Sequence, residues 1–183
     1  GGGRVVVPKG EWLTGAIHLK SNVNLHVQKA ATIKFSTNPS DYLPLVHTRW
    51  EGMELMHISP LIYAYEQTNI GITGSGTLDG QGKAFFWKWH GNPRYGGDPA
   101  IKSQRPDRDK LYDMMTRNVP VAERVFGETN WLRPQFIQPY KCKNILIEGV
   151  KIVDSPMWEV HPVLCENVTV RGLTIITHGP NND

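Results

Sequence analysis

The feature that most constrains this chain is a pattern written twice near its C-terminal end. Cys142-Lys143-Asn144-Ile145-Leu146-Ile147-Glu148-Gly149 is matched 23 residues later by Cys165-Glu166-Asn167-Val168-Thr169-Val170-Arg171-Gly172. Each Gly is followed by a second short apolar run, Val150-Lys151-Ile152 and Leu173-Thr174-Ile175. A period of this length built from short strands is the signature of a solenoid coil. Within each copy the apolar residues alternate (Ile145 and Ile147; Val168 and Val170), so one face turns inward and the other outward. Gly permits the bend between the two runs. A single coil cannot bury its apolar face and must stack on its neighbours, which predicts an all-β chain folded as a parallel β-helix.

The repeat extends toward the N-terminus. Ser21-Asn22-Val23-Asn24-Leu25 and Thr68-Asn69-Ile70-Gly71-Ile72 are further copies. Between Ala16 and Phe35 the inward set falls on odd numbers: Ile17, Leu19, Val23, Leu25, Val27, Ile33 and Phe35. Asn22 and Asn69 are 47 residues apart, which predicts about two coils between them. Asn69 and Asn144 are 75 apart, one 23-residue coil with an excess of 52. The recurring Asn22, Asn69, Asn144 and Asn167 are expected to face inward and hydrogen-bond along the stack as an asparagine ladder.

The excess coincides with a change of composition. Residues 82–133 are rich in Gly, Pro and aromatics (Phe85, Phe86, Trp87, Trp89, Tyr95, Trp131) and are expected to form an inserted loop and short-helix region outside the coils. Leu111, Met114 and Met115 at helical spacing, with Asp107 and Asp109 near the start, predict a helix over 107–117. The aromatics fit either a small satellite core or a sugar-contacting wall. The whole of 1–183 is read as part of one β-helix domain, incomplete at both ends.

Other classes of function find little support. The chain has 183 residues, a formal net charge of +3, and 20 scattered Lys and Arg, so nucleic acid is not an expected partner. No apolar run approaches the ~20 residues of a membrane span. The seven His lack paired metal-ligand spacing, and Gly74-x-Gly76 leads into a strand rather than a helix, so neither a metal nor another cofactor is expected. Cys142 and Cys165 occupy equivalent places in successive coils, where parallel side chains disfavour a disulfide; two free, buried thiols are expected. Asp79 and Asp154 read as turn carboxylates.

Several stretches taken in order resemble family 28 of the glycoside hydrolases, the polygalacturonases. They are Trp12-Leu13-Thr14-Gly15, Gly74-x-Gly76-Thr77-Leu78-Asp79-Gly80, Cys142-x-Asn144, Asp154-Ser155-Pro156-x-Trp158, His161-Pro162 and Gly179-Pro180-Asn181-Asn182-Asp183. The resemblance implies a right-handed parallel β-helix that hydrolyses the α-1,4-galacturonosyl bonds of pectin with inversion, in a secreted or periplasmic monomer. The family's Asn-Thr-Asp motif corresponds to Asn181-Asn182-Asp183, with Asn in place of Thr. Asp183 is thereby implied to be catalytic, and Asn181, His161 and Trp158 to bind substrate, a pectic polysaccharide or oligogalacturonide. The family's later Asp-Asp pair, Gly-His-Gly and Arg-x-Lys do not occur in these 183 residues, so the chain alone is expected to be inactive. The alternatives are a pectate-lyase-like β-helix, which would want an acidic calcium cluster, and a non-catalytic polysaccharide-binding solenoid.

Overall fold

In the computed structural model, which describes residues 1–178, three parallel sheets run the length of a right-handed β-helix. The first sheet holds five strands, ordered Gly3–Val7, Val23–Val27, Thr68–Gly74, Lys143–Glu148 and Glu166–Arg171. The second holds Gly10–Thr14, Ala31–Phe35, Thr77–Asp79, Lys151–Val153 and Thr174–Ile176. The third is shorter, Ile17–His18, Ile62–Tyr65 and Ile137–Tyr140, and bridges at Val160 and Val163 carry it into the next coil.

The alternating apolar residues become vertical ladders. Val5, Leu25, Ile72, Ile147 and Val170 pair in register through the first sheet. Trp12, Ile33, Leu78, Ile152 and Ile175 do the same in the second. The middle rungs are almost wholly buried (Leu25 4%, Ile72 2%, Ile147 1%), whereas Val5 and Val170 at the two ends of the ladder are 54% and 44% exposed. Burial here comes from the coil above and the coil below, not from the strand itself, and each buried rung contributes about 1.5–3 kcal/mol.

The asparagine ladder forms, but on the outside. Asn69 Nδ2 donates to Asn22 Oδ1 (2.9 Å), Asn144 to Asn69 (2.8 Å) and Asn167 to Asn144 (2.8 Å). All four residues are exposed, contrary to the inward placement expected from the repeat. The reason is local: each adopts positive φ, 55–62°, to turn the chain into the first sheet, a conformation that Asn tolerates better than other non-Gly residues. Gly149 makes the next bend at φ 80°, and a Cβ there would come within 2.4 Å of the Gly74 carbonyl oxygen.

The interval from Asn22 to Asn69 is also corrected. Val23–Val27 pairs directly with Thr68–Gly74, so the 47 residues make one coil carrying its own excursion, not two coils. That excursion contains an antiparallel hairpin, Val46–Trp50 with Met53–His57, closed by Glu51 and Gly52. Both turn residues have positive φ (43° and 86°), as a tight two-residue hairpin loop requires. A second excursion lies between Thr77–Asp79 and Ile137–Tyr140. It includes short 3-10 turns, the helix α1 (Arg105–Thr116) with Pro106 in its first turn, and a strand Val125–Phe126 that pairs in parallel with the hairpin.

The two excursions fold against each other. Trp50, Met53 and Leu55 of the first, Leu111, Phe126 and Leu132 of the second, and Met157 of the following coil form a separate apolar cluster outside the helix. The aromatics expected to make a satellite core or a sugar wall are used differently: Phe86 and Trp89 are buried and join the main core. Trp87 is likewise buried, its Nε1 donating to the Ser155 carbonyl (2.7 Å). Both thiols are free; Cys142 is buried, as expected, and Cys165 only half-buried because no coil covers it within the described residues.

Candidate functional site

The outer face of the third sheet is where polar and aromatic groups collect. Ile62, Ala64 and Ile137 point into the core, so their neighbours point out. Registered pairing then stacks His18, Tyr63 and Gln138 in one outward column, and the Ile137–Val160 bridge brings His161 to the next rung. The hairpin of the first excursion lies across this column. Tyr63 OH donates to the His47 carbonyl, Thr48 OH to Gln138 Oε1, and Gln138 Nε2 to the Arg49 carbonyl (3.2 Å).

His161 is held from two sides. Its backbone N–H donates to the Ile137 carbonyl (2.8 Å), and its Nδ1 lies 2.9 Å from Gln138 Nε2. An amide nitrogen is a donor, so Nδ1 is the acceptor and the ring proton sits on Nε2. Partial burial, followed by the nearby Arg49 charge, lowers the imidazole pKa and keeps the ring neutral. The result is a fixed N–H donor at Nε2. Trp158 packs edge-on against this ring with centroids 4.7 Å apart, and its indole borders the cluster built by the excursions.

Beside this pair lies a charged group that the repeat gave no means of finding. Tyr140 OH donates to Glu54 Oε1 (2.5 Å), His47 Nε2 stands 3.3 Å from the same oxygen, and Arg49 Nη2 is 3.7 Å away. The Tyr140 hydrogen bond, and behind it the Arg49 and His47 charges, hold the Glu54 carboxyl below its ordinary range against some desolvation. Burial and the Glu54 contact push the Tyr140 phenol up to about 12, so it stays a donor. His47, Arg49 and Glu54 belong to the hairpin, whose sequence does not repeat. Only the Glu51-Gly52 turn between two alternating runs could have marked it.

Of the residues named from the sequence, His161 and Trp158 are brought together. Asn181 and Asp183 lie outside the described residues. Asp79 is a turn carboxylate as expected, its Oδ1 accepting from Gln81 N–H (2.9 Å). Asp154 does something else: its Oδ1 takes the His178 N–H (3.0 Å) and lies 2.9 Å from His178 Nδ1, tying one coil to the next. Among the described residues no group of three or more His, Cys, Asp or Glu is placed to hold a metal ion, and no helix is long and apolar enough to cross a membrane. The described surface presents a neutral imidazole N–H from His161 beside the Trp158 indole, with the Arg49 guanidinium, paired to Glu54, nearby.

No protein-family model matches the chain. A probable polygalacturonase of Vitis vinifera is 27% identical over the whole chain, which spans 32% of that relative. Among solved structures, a hyperthermoactive exopolygalacturonase from Thermotoga maritima is 53% identical with a TM-score of 0.95, covering 100% of this chain and 41% of its own. A family 28 exopolygalacturonase of Yersinia enterocolitica shares the fold at 20% identity (TM-score 0.66), over 96% of this chain and 33% of its own. The chain therefore spans about a third of the curated relative's length and under half of the structural one.

Proposed function

We propose that this polygalacturonase-like chain is part of a family 28 glycoside hydrolase that cleaves the α-1,4-galacturonosyl bonds of pectin by inversion, in a secreted or periplasmic protein. The observation that carries this reading is the 53% identity to an exopolygalacturonase, maintained over the entire chain with a TM-score of 0.95. The same relative's name favours action from a chain end. Chemically, inversion needs one carboxylic acid to protonate the leaving oxygen and one carboxylate to activate water, the two about 6.5–9.5 Å apart. Asp183 is assigned to the water. Asn181, His161 and Trp158 are assigned to the sugar, His161 through Nε2–H and Trp158 through its ring. The remaining carboxylates are assigned to sequence beyond these 183 residues.

The test uses the complete protein that contains this chain. Incubation with polygalacturonate should release reducing ends without the unsaturated uronate that elimination would leave. Asp183→Asn keeps the side chain's shape and removes its charge, so kcat should fall by about 10²–10⁴-fold with little change in KM or thermal midpoint. A normal kcat with a lowered midpoint would make Asp183 part of the scaffold. Unsaturated products would replace hydrolysis by a lyase mechanism.

A further inference from the structure

The hairpin strand Val46–Trp50 lies at the edge of its small sheet, where it pairs with Met53–His57 in antiparallel register. Carbonyls alternate sides along such a strand, so those on its outer side have no ladder partner. The outward column of the third sheet supplies donors to two of them, at alternate positions. Tyr63 OH donates to the His47 carbonyl, and Gln138 Nε2 to the Arg49 carbonyl (3.2 Å). Gln138 is fully buried, and its amide is engaged at both ends. Its Oε1 accepts from the Thr48 hydroxyl, and its Nε2 also donates to His161 Nδ1 (2.9 Å).

These contacts have an order of cause. A hydroxyl both donates and accepts, and an imidazole nitrogen does either according to its tautomer, so neither Thr48 nor His161 decides which end of the Gln138 amide is nitrogen. A main-chain carbonyl only accepts. With the amide turned over, Gln138 Oε1 would face the Arg49 carbonyl oxygen, two acceptors opposed in a buried place. The Arg49 carbonyl therefore fixes Nε2 on its own side. The second Nε2 hydrogen then goes to His161 Nδ1, and the ring proton is left on His161 Nε2.

We propose that Gln138 is a positioning residue: through it the hairpin backbone sets which nitrogen of His161 carries the proton, so that the ring offers an N–H, not a lone pair, to a sugar oxygen. The sugar rests on the hydrolase reading above; the relay from hairpin to ring does not. Trp158, edge-on to the ring with centroids 4.7 Å apart, stands against its rotation. The device uses the main chain of Arg49 and leaves its side chain to Glu54.

The experiment reads the ring directly, by nitrogen–proton correlation spectra of the complete protein labelled with 15N at histidine, near neutral pH. The unaltered protein should show His161 protonated at Nε2 and bare at Nδ1. Gln138→Glu replaces the donor by an acceptor, so the proton should move to Nδ1, and KM for oligogalacturonides should rise about 3–10-fold with kcat little changed. In a His161→Ala background the same substitution should add no further rise in KM, because the two residues act as one unit. Thr48→Val should lower the thermal midpoint while His161 keeps its proton on Nε2. Should Gln138→Glu not fold, Gln138→Met removes the donor without placing a charge, and the ring should then show a mixture of both tautomers. A proton on Nδ1 in the unaltered protein, an unmoved proton in Gln138→Glu or Gln138→Met, or additive losses in KM would overturn the proposal. The nitrogen pattern needs no substrate: if it is as expected and the unaltered protein turns over no polygalacturonate, the hydrolase reading falls and the relay stands.

Discussion

The coils and the excursions bury apolar groups by opposite means. In the coils, one type of residue recurs at one position, and each rung of a ladder is covered by the same residue class in the next coil, as Leu25, Ile72 and Ile147 are. In the excursions nothing recurs. Trp50 meets Phe126, Leu132 and Met157 across large separations in sequence, and its Nε1 donates to the Arg133 carbonyl (3.0 Å). The first kind of core is periodic and is built one coil at a time. The second closes only when two separate segments are both in place. The difference teaches where non-repeating groups can be placed: the repeating rungs are fixed by their neighbours above and below, while the hairpin carries His47, Arg49 and Glu54 onto the outer face without disturbing a ladder.

The sharpest way to break this comparison is within one ladder. Ile147 is 1% exposed between Ile72 and Val170, whereas Val170, in the same ladder, is 44% exposed. Ile147→Ala should destabilise the protein by about 2–5 kcal/mol through lost transfer energy and a cavity. Val170→Ala, made in the same 183 residues, should cost about 1 kcal/mol or less, because half of its surface is already in water. Denaturant unfolding of both variants measures the contrast. Equal costs would show that the strand, not the stack, supplies the burial.

The same contrast explains what the sequence could and could not disclose. The 23-residue offset between Asn144 and Asn167 is a local pattern, so the parallel stack and its inward set were legible. The 47-residue interval was not. A hairpin of ordinary alternating residues, His47-Thr48-Arg49 and Glu54-Leu55-Met56, has the same two-residue period as a coil strand and was absorbed into the count. The aromatics of the second excursion were equally ambiguous, because whether Trp89 meets a sugar or Phe86 depends on contacts that no local pattern encodes. For the proposed site, motif resemblance pointed to His161 and Trp158 as neighbours, which they are, while Arg49 and Gln138 become neighbours only when the hairpin folds over the third sheet.

A second prediction concerns the seam between the two excursions. His57 is fully buried, with Nδ1 2.6 Å from the Phe126 carbonyl oxygen and Nε2 3.0 Å from that of Leu132. A neutral imidazole can donate to only one of them. Burial nevertheless dominates and lowers its pKa, opposed by the two carbonyls and by Asp107. A group whose pKa is lowered on folding takes its proton in the unfolded chain first. Stability should therefore fall as pH drops below about 6.5, the unfolded value. Thermal midpoints at pH 7.5 and 5.5 for the protein and for His57→Gln isolate the part due to this residue, since His18 and His161 also have lowered values. The substitution should flatten the acid side of the curve. If removing His57 instead steepened the loss in acid, the ring would be charged in the fold, bonded to both carbonyls.

The smallest expected effect tests the outer ladder. Asn144 contributes two separable things: a backbone at φ 57°, and a side chain that donates to Asn69 and accepts from Asn167. Asn144→Gly keeps the first and loses the second; Asn144→Ala loses both, because a Cβ without a local hydrogen bond disfavours the left-handed region by about 1–2 kcal/mol. Each exposed amide bond is worth about 0.5–1.5 kcal/mol at most, since water competes for it. Gly also raises the entropy lost on folding. Asn144→Ala should therefore be less stable than Asn144→Gly, and both should stay well above Ile147→Ala in stability. If Gly proved as stable as Asn, the side-chain bonds along the ladder would contribute nothing measurable. The recurrence of Asn at this position would then reflect its tolerance of the turn alone.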